Sequence, residues 1–195
     1  GRFIMSCSSM RYAGECMSAK SELLSLGKLE LVTAVGKKDW MKYGVHMIEA
    51  IFSILDDPRP MKVTNAGKEK QSVVSIEFEN GCVANLTANR VALSNVRKID
   101  IFQKNCYILI DLLNKTTTVN TIESLTQNTQ NKGILINTGL GKQHYQIVQS
   151  EPLIQPINAI KAELDCFHSS IIDKTPIAVS LLDAESALFI AQEIE

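Results

Sequence analysis

The 195-residue sequence contains a single tryptophan, no CxxC pair and no apolar run near the roughly 20 residues that would cross a bilayer. It also lacks an excess of either charge, with 20 Lys and Arg against 21 Asp and Glu for a net charge of −1. Without a broad positive field, a phosphate backbone has little to hold it, so neither a nucleic acid nor a membrane is expected as partner. The opening GRFIMSCSSMRYAG has no long apolar core of the kind a secretion signal needs. The five cysteines form an odd set scattered among apolar neighbours, as small buried thiols are, and this fits a reducing, cytoplasmic setting. They do not cluster with His46, His144 or His168, so no metal site is expected. GxGxxG and GxxxxGK[ST] are both absent, as is the strand and helix alternation of a parallel nucleotide-binding sheet. The glycine-containing stretch 133–141 has no helix after it to aim amides at a phosphate, and reads as a loop between edge strands. No cofactor is therefore expected on this chain alone.

What is present is enough for one domain, 1–195, since 45% of the residues are hydrophobic and the length supports a real core. Met10, Ala13, Met17, Leu23, Leu24 and Leu26 predict an amphipathic helix over 9–26, ending at Gly27. Residues 29–35 alternate as a strand with one buried face. A second helix near 45–55 places Ile48, Ile51, Phe52 and Leu55 on one stripe, before the breaker run Asp56-Asp57-Pro58-Arg59-Pro60.

The period then changes from helical to two-residue. Val74, Ile76 and Phe78 oppose Glu77 and Glu79, and Asn80-Gly81 predicts a tight hairpin into 83–91. Lys104-Asn105 and Asn114-Lys115 separate further strands near 99–102, 107–113 and 116–122 in an antiparallel meander, and 134–136 and 145–148 add two more. Residues 124–133 are polar enough for an exposed loop or hairpin tip. Ile157, Ile160, Leu164, Phe167 and Ile171 predict a helix after Pro156, and a last helix starts near 180–183, where Ser180 or Asp183 caps it. Helices at both ends of a strand-rich middle give an α+β layered domain whose helices cover one sheet face.

Four blocks carry a resemblance that spans nearly the whole chain. SSMRYAGECMSAKSELLSLGKLELVTAV, KYGVHMIEAIFSIL, GCVANLTANRVALSNVRKIDIFQKNCYILIDLLNK and INAIKAELDCFHSSIIDKTPIAVSLLDAESALFIAQEI are similar, in order and spacing, to the C-terminal domain of glucose-fructose oxidoreductase and inositol dehydrogenase (Gfo/Idh/MocA) type enzymes. The resemblance implies a mainly antiparallel open sheet with helices on one face, of the dihydrodipicolinate-reductase-like or glyceraldehyde-3-phosphate-dehydrogenase-like C-terminal type. It implies an oxidoreductase that uses NAD or NADP in its complete form on a sugar, amino sugar or cyclitol hydroxyl. The family's dinucleotide domain and Glu-Lys-Pro segment would lie upstream of Gly1, so this chain is expected to be inactive alone. A non-enzymatic dimerisation module is the alternative.

Within the resemblance, His46 matches the family's catalytic histidine. An imidazole titrates near neutrality, so a positioned His can accept the proton of the hydroxyl being oxidised. Helical spacing sets His46 with Glu49, Ala50 and Ser53, away from the apolar stripe, on a face suited to line a cleft. The plainer reading is a helix-start histidine bonded to a neighbour. Lys42 stands where many family members carry an acid, and is either a substrate contact or a solvated lysine. Tyr43, Arg11 and Tyr12 are further candidate substrate contacts, with surface and packing roles as the alternatives for the last two. The weakly charged alternation of Val83, Asn85, Thr87 and Asn89 against Cys82, Ala84, Leu86 and Ala88 leaves an open sheet face suited to a homo-oligomer.

Overall fold

The computed structural model describes residues 4–26, 29–37, 44–66, 71–89, 96–125, 133–136 and 144–194. Lys42, Tyr43, Gly27 and most of the polar 124–133 stretch lie outside these residues. In chain order a 3₁₀ turn, Ser9–Tyr12, leads into α1 (Gly14–Leu26), β1 (Leu29–Lys37), α2 (Val45–Ile54), β2 (Pro60–Asn65), β3 (Gln71–Phe78) and β4 (Val83–Asn89). Then follow β5 (Lys98–Gln103), β6 (Cys106–Asp111), β7 (Thr116–Leu125), β8 (Ile134–Ile136), β9 (His144–Ser150), α3 (Ala159–Asp173) and α4 (Leu181–Ile194).

The strands form one sheet in the order β2-β3-β4-β1-β5-β6-β7-β9-β8. Pairing is antiparallel throughout except where β1 runs parallel to β4. The meanders β2-β3-β4 and β5-β6-β7 are thus joined by a strand inserted between them. The α+β class and the mainly antiparallel sheet expected from the sequence are what the chain adopts.

One sheet face is apolar. Val32, Val74, Ile76, Ala84, Leu86, Ile99, Ile101, Ile108, Ile110 and Val119 are buried, alternating along their strands with half-buried or exposed residues such as Thr33, Asn85, Thr87, Asp100 and Phe102. The period of two puts every second side chain on the same face, and burying each of these isoleucines contributes about 2 kcal/mol. Against that face lie Cys16, Ala19 and Leu23 of α1, most of α2, and Ala187, Ile190 and Ala191 of α4. Phe52 of α2 meets Phe78 of β3 edge to face, with centroids 5.7 Å apart. The opposite face carries a polar row in which Thr33 and Tyr107 both donate to Asp100, the Tyr107 hydroxyl at 2.5 Å. Burial, then that bond to Asp100, pushes the Tyr107 phenol up to about 12.

Four local features depart from the sequence-based expectation. The expected 9–26 helix breaks at Ala13, which is extended (φ −62°, ψ 133°), so a 3₁₀ turn precedes a shorter α1. The break lets Arg11 turn into the interior. β2 was not foreseen; its alternation follows directly on the Pro58-Arg59-Pro60 run, which reads as a loop. The Asn80-Gly81 turn joins β3 to β4 in the expected antiparallel hairpin, but without positive φ at both residues. Only Gly81 has positive φ (79°), and Phe78 bonds both Gly81 and Cys82, a longer loop in which glycine takes the left-handed position. Finally, Cys7 is exposed and Cys166 half-buried, so only Cys16, Cys82 and Cys106 are the buried thiols expected of all five.

The two C-terminal helices are capped as their sequences demand. Asn158 accepts from the Lys161 amide, and Ser180 and Asp183 bond each other's amides reciprocally.

Candidate functional site

The first turn of α2 carries the only histidine that the sequence reading places in a reactive role. His46 is exposed, one turn before the buried Glu49, and among the described residues its ring has no hydrogen-bond partner. Gly44, which precedes the helix, provides no side-chain cap. Gly44 is itself helical in backbone conformation (φ −69°, ψ −35°), and the residues before it lie outside the described ones.

The rest of that helix face is not open. Glu49 and Ala50, expected to line a cleft with His46, are 3% and 0% exposed. What covers them is the 3₁₀ turn. Arg11 reaches from it to place Nε and Nη2 at 2.8 and 2.7 Å from Glu49 Oε2, and Nη1 and Nη2 at 2.9 and 2.8 Å from the two oxygens of Asp57. The Ser8 hydroxyl adds a bond to the same Glu49 oxygen at 3.3 Å. Arg11 is thus buried with its guanidinium committed to two carboxylates, and does not take the surface role weighed for it from the sequence. Asp57 can reach it because Asp56 and Asp57 adopt left-handed conformations (φ 63° and 53°) just past α2, where aspartate is among the more tolerant residues.

The electrostatics follow from this geometry. Burial works against the charged guanidinium, but Asp57 and Glu49 outweigh it and Arg11 titrates above its ordinary value. Burial pushes the Glu49 carboxyl up, and Arg11 and Ser8 only partly oppose the rise. Burial thus works against the Glu49 charge, and Arg11 is the chief group opposing it.

On its other side the 3₁₀ turn is tied to α3. The buried Glu163 accepts the Ser8 amide, and half-buried Tyr12 is pushed well above the usual phenol range by burial and by its contact with Cys166. Tyr12 thus sits between α3 and the turn that covers α2. The structure brings Arg11 and Glu49 together beside His46, while Lys42 and Tyr43 precede α2 outside the described residues. Sequence reasoning missed the roles of Glu49, Asp57 and Glu163. The available signal was Glu49 itself, an acid within the otherwise apolar run VHMIEAIFSI.

A separate groove of about 510 Å³ lies between the start of α1, the β6–β7 turn and the 154–159 strap, and none of the predicted site residues lines it. Among the described residues, no group of three or more His, Cys, Asp or Glu side chains could hold a metal ion. No helix of the described residues is long and apolar enough to cross a membrane.

No protein-family model matches the sequence, and no curated protein matches it. Solved structures do. UDP-N-acetylglucosamine 3-dehydrogenase from Acidithiobacillus ferrooxidans superposes with a TM-score of 0.73 at 16% identity, over 98% of this chain and 61% of that one. Levoglucosan dehydrogenase in complex with NADH and levoglucosan gives 0.67 at 12% identity, over 98% and 63%. An oxidoreductase from Agrobacterium radiobacter in complex with NAD+, L-tartaric acid and magnesium gives 0.69 at 10% identity, over 96% and 60%. The chain therefore spans about three fifths of the length of the structures it resembles, and over nearly all of its own length it has a fold found in Gfo/Idh/MocA-type oxidoreductases.

Proposed function

We propose that this chain is the substrate-side and assembly domain of a cytoplasmic, NAD- or NADP-dependent oxidoreductase of the Gfo/Idh/MocA family, acting on a hydroxyl of a sugar, amino sugar or cyclitol. The observation that supports this most is the fold shared over 98% of the chain with a nucleotide-sugar dehydrogenase and a sugar-anhydride dehydrogenase. The sequence has no glycine turn leading from strand to helix that would hold a pyrophosphate. The dinucleotide therefore belongs to a preceding domain, and this chain alone is inactive and binds neither nucleotide.

What this chain contributes is a base and a surface. His46, exposed and without a partner among the described residues, accepts the proton of the substrate hydroxyl, and α2 orients it. Arg11, Glu49 and Asp57 act as positioning residues by fixing the 3₁₀ turn against α2. Lys42, Tyr43 and Tyr12 serve as substrate contacts. The open sheet face, with Val73 and Phe102 exposed, joins copies of the chain.

The test is His46→Asn in the product of the full reading frame. Turnover falls roughly 100-fold, the scale of losing a positioned base, while thermal stability holds because the ring is exposed and bonded to nothing described. Unchanged turnover removes His46 from the chemistry and leaves the assembly role alone.

A further inference from the structure

Two opposite charges line the groove between the start of α1, the β6–β7 turn and the 154–159 strap, and among the described residues neither has a partner. Glu15 is only 7% exposed, yet no hydrogen bond or ion pair among those residues meets its carboxylate. The Thr117 hydroxyl bonds its backbone carbonyl at 3.0 Å and leaves the side chain alone. The positive end of α1 favours an acid in the first turn. That field supplies no hydrogen bond, however, and a carboxylate taken out of water without a donor is costly. Lys115, exposed on the β6–β7 turn, lines the same groove and is likewise unpaired among the described residues.

The walls are held by contacts within the chain. The strap lies directly on the α1 backbone, since a Cβ at Gly14 would stand 2.8 Å from the Gln155 carbonyl oxygen and 2.9 Å from Ile154 Cγ2. Thr117 ties β7 to α1 through Glu15, and Asn158 caps α3 where the strap ends. A volume of about 510 Å³ is far more than a bare cation fills and lies in the range that takes a small organic molecule. Ile154, Pro156 and Ile157 give it an aliphatic wall. A simple amine would be drawn to Glu15 but repelled by Lys115, whereas a ligand with a carboxylate beside its ammonium is attracted by both. We propose that this groove binds a small aliphatic zwitterion of the α-amino acid class, its ammonium on Glu15, its carboxylate toward Lys115 and its side chain along the strap. The site is separate from His46 and stands whether or not His46 is catalytic.

Titration calorimetry of the 195-residue chain with L-leucine as the probe tests this, beside leucinamide, which lacks the carboxylate, and isocaproate, which lacks the ammonium. L-leucine should bind saturably with a Kd of about 1 mM or tighter. Each analogue should bind about ten-fold more weakly, the scale of one lost charged hydrogen bond. Glu15→Gln should weaken L-leucine by about the same factor. Lys115→Gln should weaken L-leucine while binding leucinamide no more weakly than the wild type does; being on an exposed turn, it carries the test even if Glu15→Gln fails to fold. Amide exchange should slow at 13–16 and 154–159 when L-leucine is present. No saturable heat at about 10 mM L-leucine, isocaproate binding as tightly as L-leucine, or binding indifferent to both substitutions would overturn the proposal.

Discussion

Replacing Arg11 with leucine isolates what holds the 3₁₀ turn over α2. The substitution keeps much of the side-chain bulk but leaves Glu49, 3% exposed, without its counter-ion and with only the 3.3 Å Ser8 hydroxyl bond. Removing one partner of a buried pair costs about 3–5 kcal/mol, because an uncompensated charge stays behind. The Asp57 arm adds little, since that carboxylate is 37% exposed and recovers water. For a domain of this length each kcal/mol moves the melting point by about 2–4 °C, so a loss of roughly 6–20 °C is expected at neutral pH.

The loss must also depend on pH in a set direction. Burial already raises the Glu49 carboxyl, and Arg11 opposes that rise. Without Arg11 the folded-state value climbs further above the unfolded value of about 4.3. Between the two values the native state binds more protons than the unfolded one, so the stability of Arg11→Leu falls as pH rises through that window. Urea unfolding at pH 5 and pH 8 should show a deficit that shrinks at the lower pH. A loss under about 1 kcal/mol, or a deficit of the same size at both pH values, would refute this account of Glu49 as a buried ion dependent on Arg11.

Two further outcomes can be checked on the isolated chain. Asp111 accepts the amides of Leu113 and Asn114 and the Asn114 side chain, and chiefly the Asn114 amide holds its carboxyl below the usual range. Asp111→Asn should therefore cost about 1 kcal/mol at pH 7 in urea titrations, a deficit that begins to shrink below the unfolded value of about 3.9 and is gone once pH has fallen through the lower folded-state value. Phe102→Asp on the open sheet face should convert a dimer or larger assembly to a monomer in light scattering at high micromolar concentration, with little change in melting point; a monomeric wild-type chain would contradict the proposed interface.

The sheet was legible because its strands alternate cleanly. The buried Cys82, Ala84, Leu86 and Ala88 fall opposite Val83, Asn85 and Thr87, as a period of two requires, and the apolar stripe of α2 is buried where its spacing puts it. The placement of β1 was not legible. Strand pairing between residues fifty or more apart depends on which meander edge is free, and LELVTAVGK carries no mark of its neighbours. The break at Ala13 escaped notice for a related reason, since a helical pattern across 9–26 hides a turn imposed from outside by the ion pair of Arg11 with Glu49 and Asp57. Arg11 was read as a candidate substrate contact with a surface role as the alternative, and neither anticipates a buried ion pair. Its two partners lie 38 and 46 positions away, beyond the reach of any local pattern. α3 shows the opposite case: its stripe predicted the helix correctly, but not that the stripe would face away from the domain that carries it.

The central claim is that this chain supplies the substrate side and a separate upstream domain supplies the cofactor site. Titration calorimetry with NAD and NADP, run on the full reading-frame product and on the 195-residue chain, tests it most directly. The account predicts micromolar binding of one or both nucleotides by the longer protein and no measurable heat with the 195-residue chain. Micromolar binding by the 195-residue chain, or none by the longer protein, would contradict it.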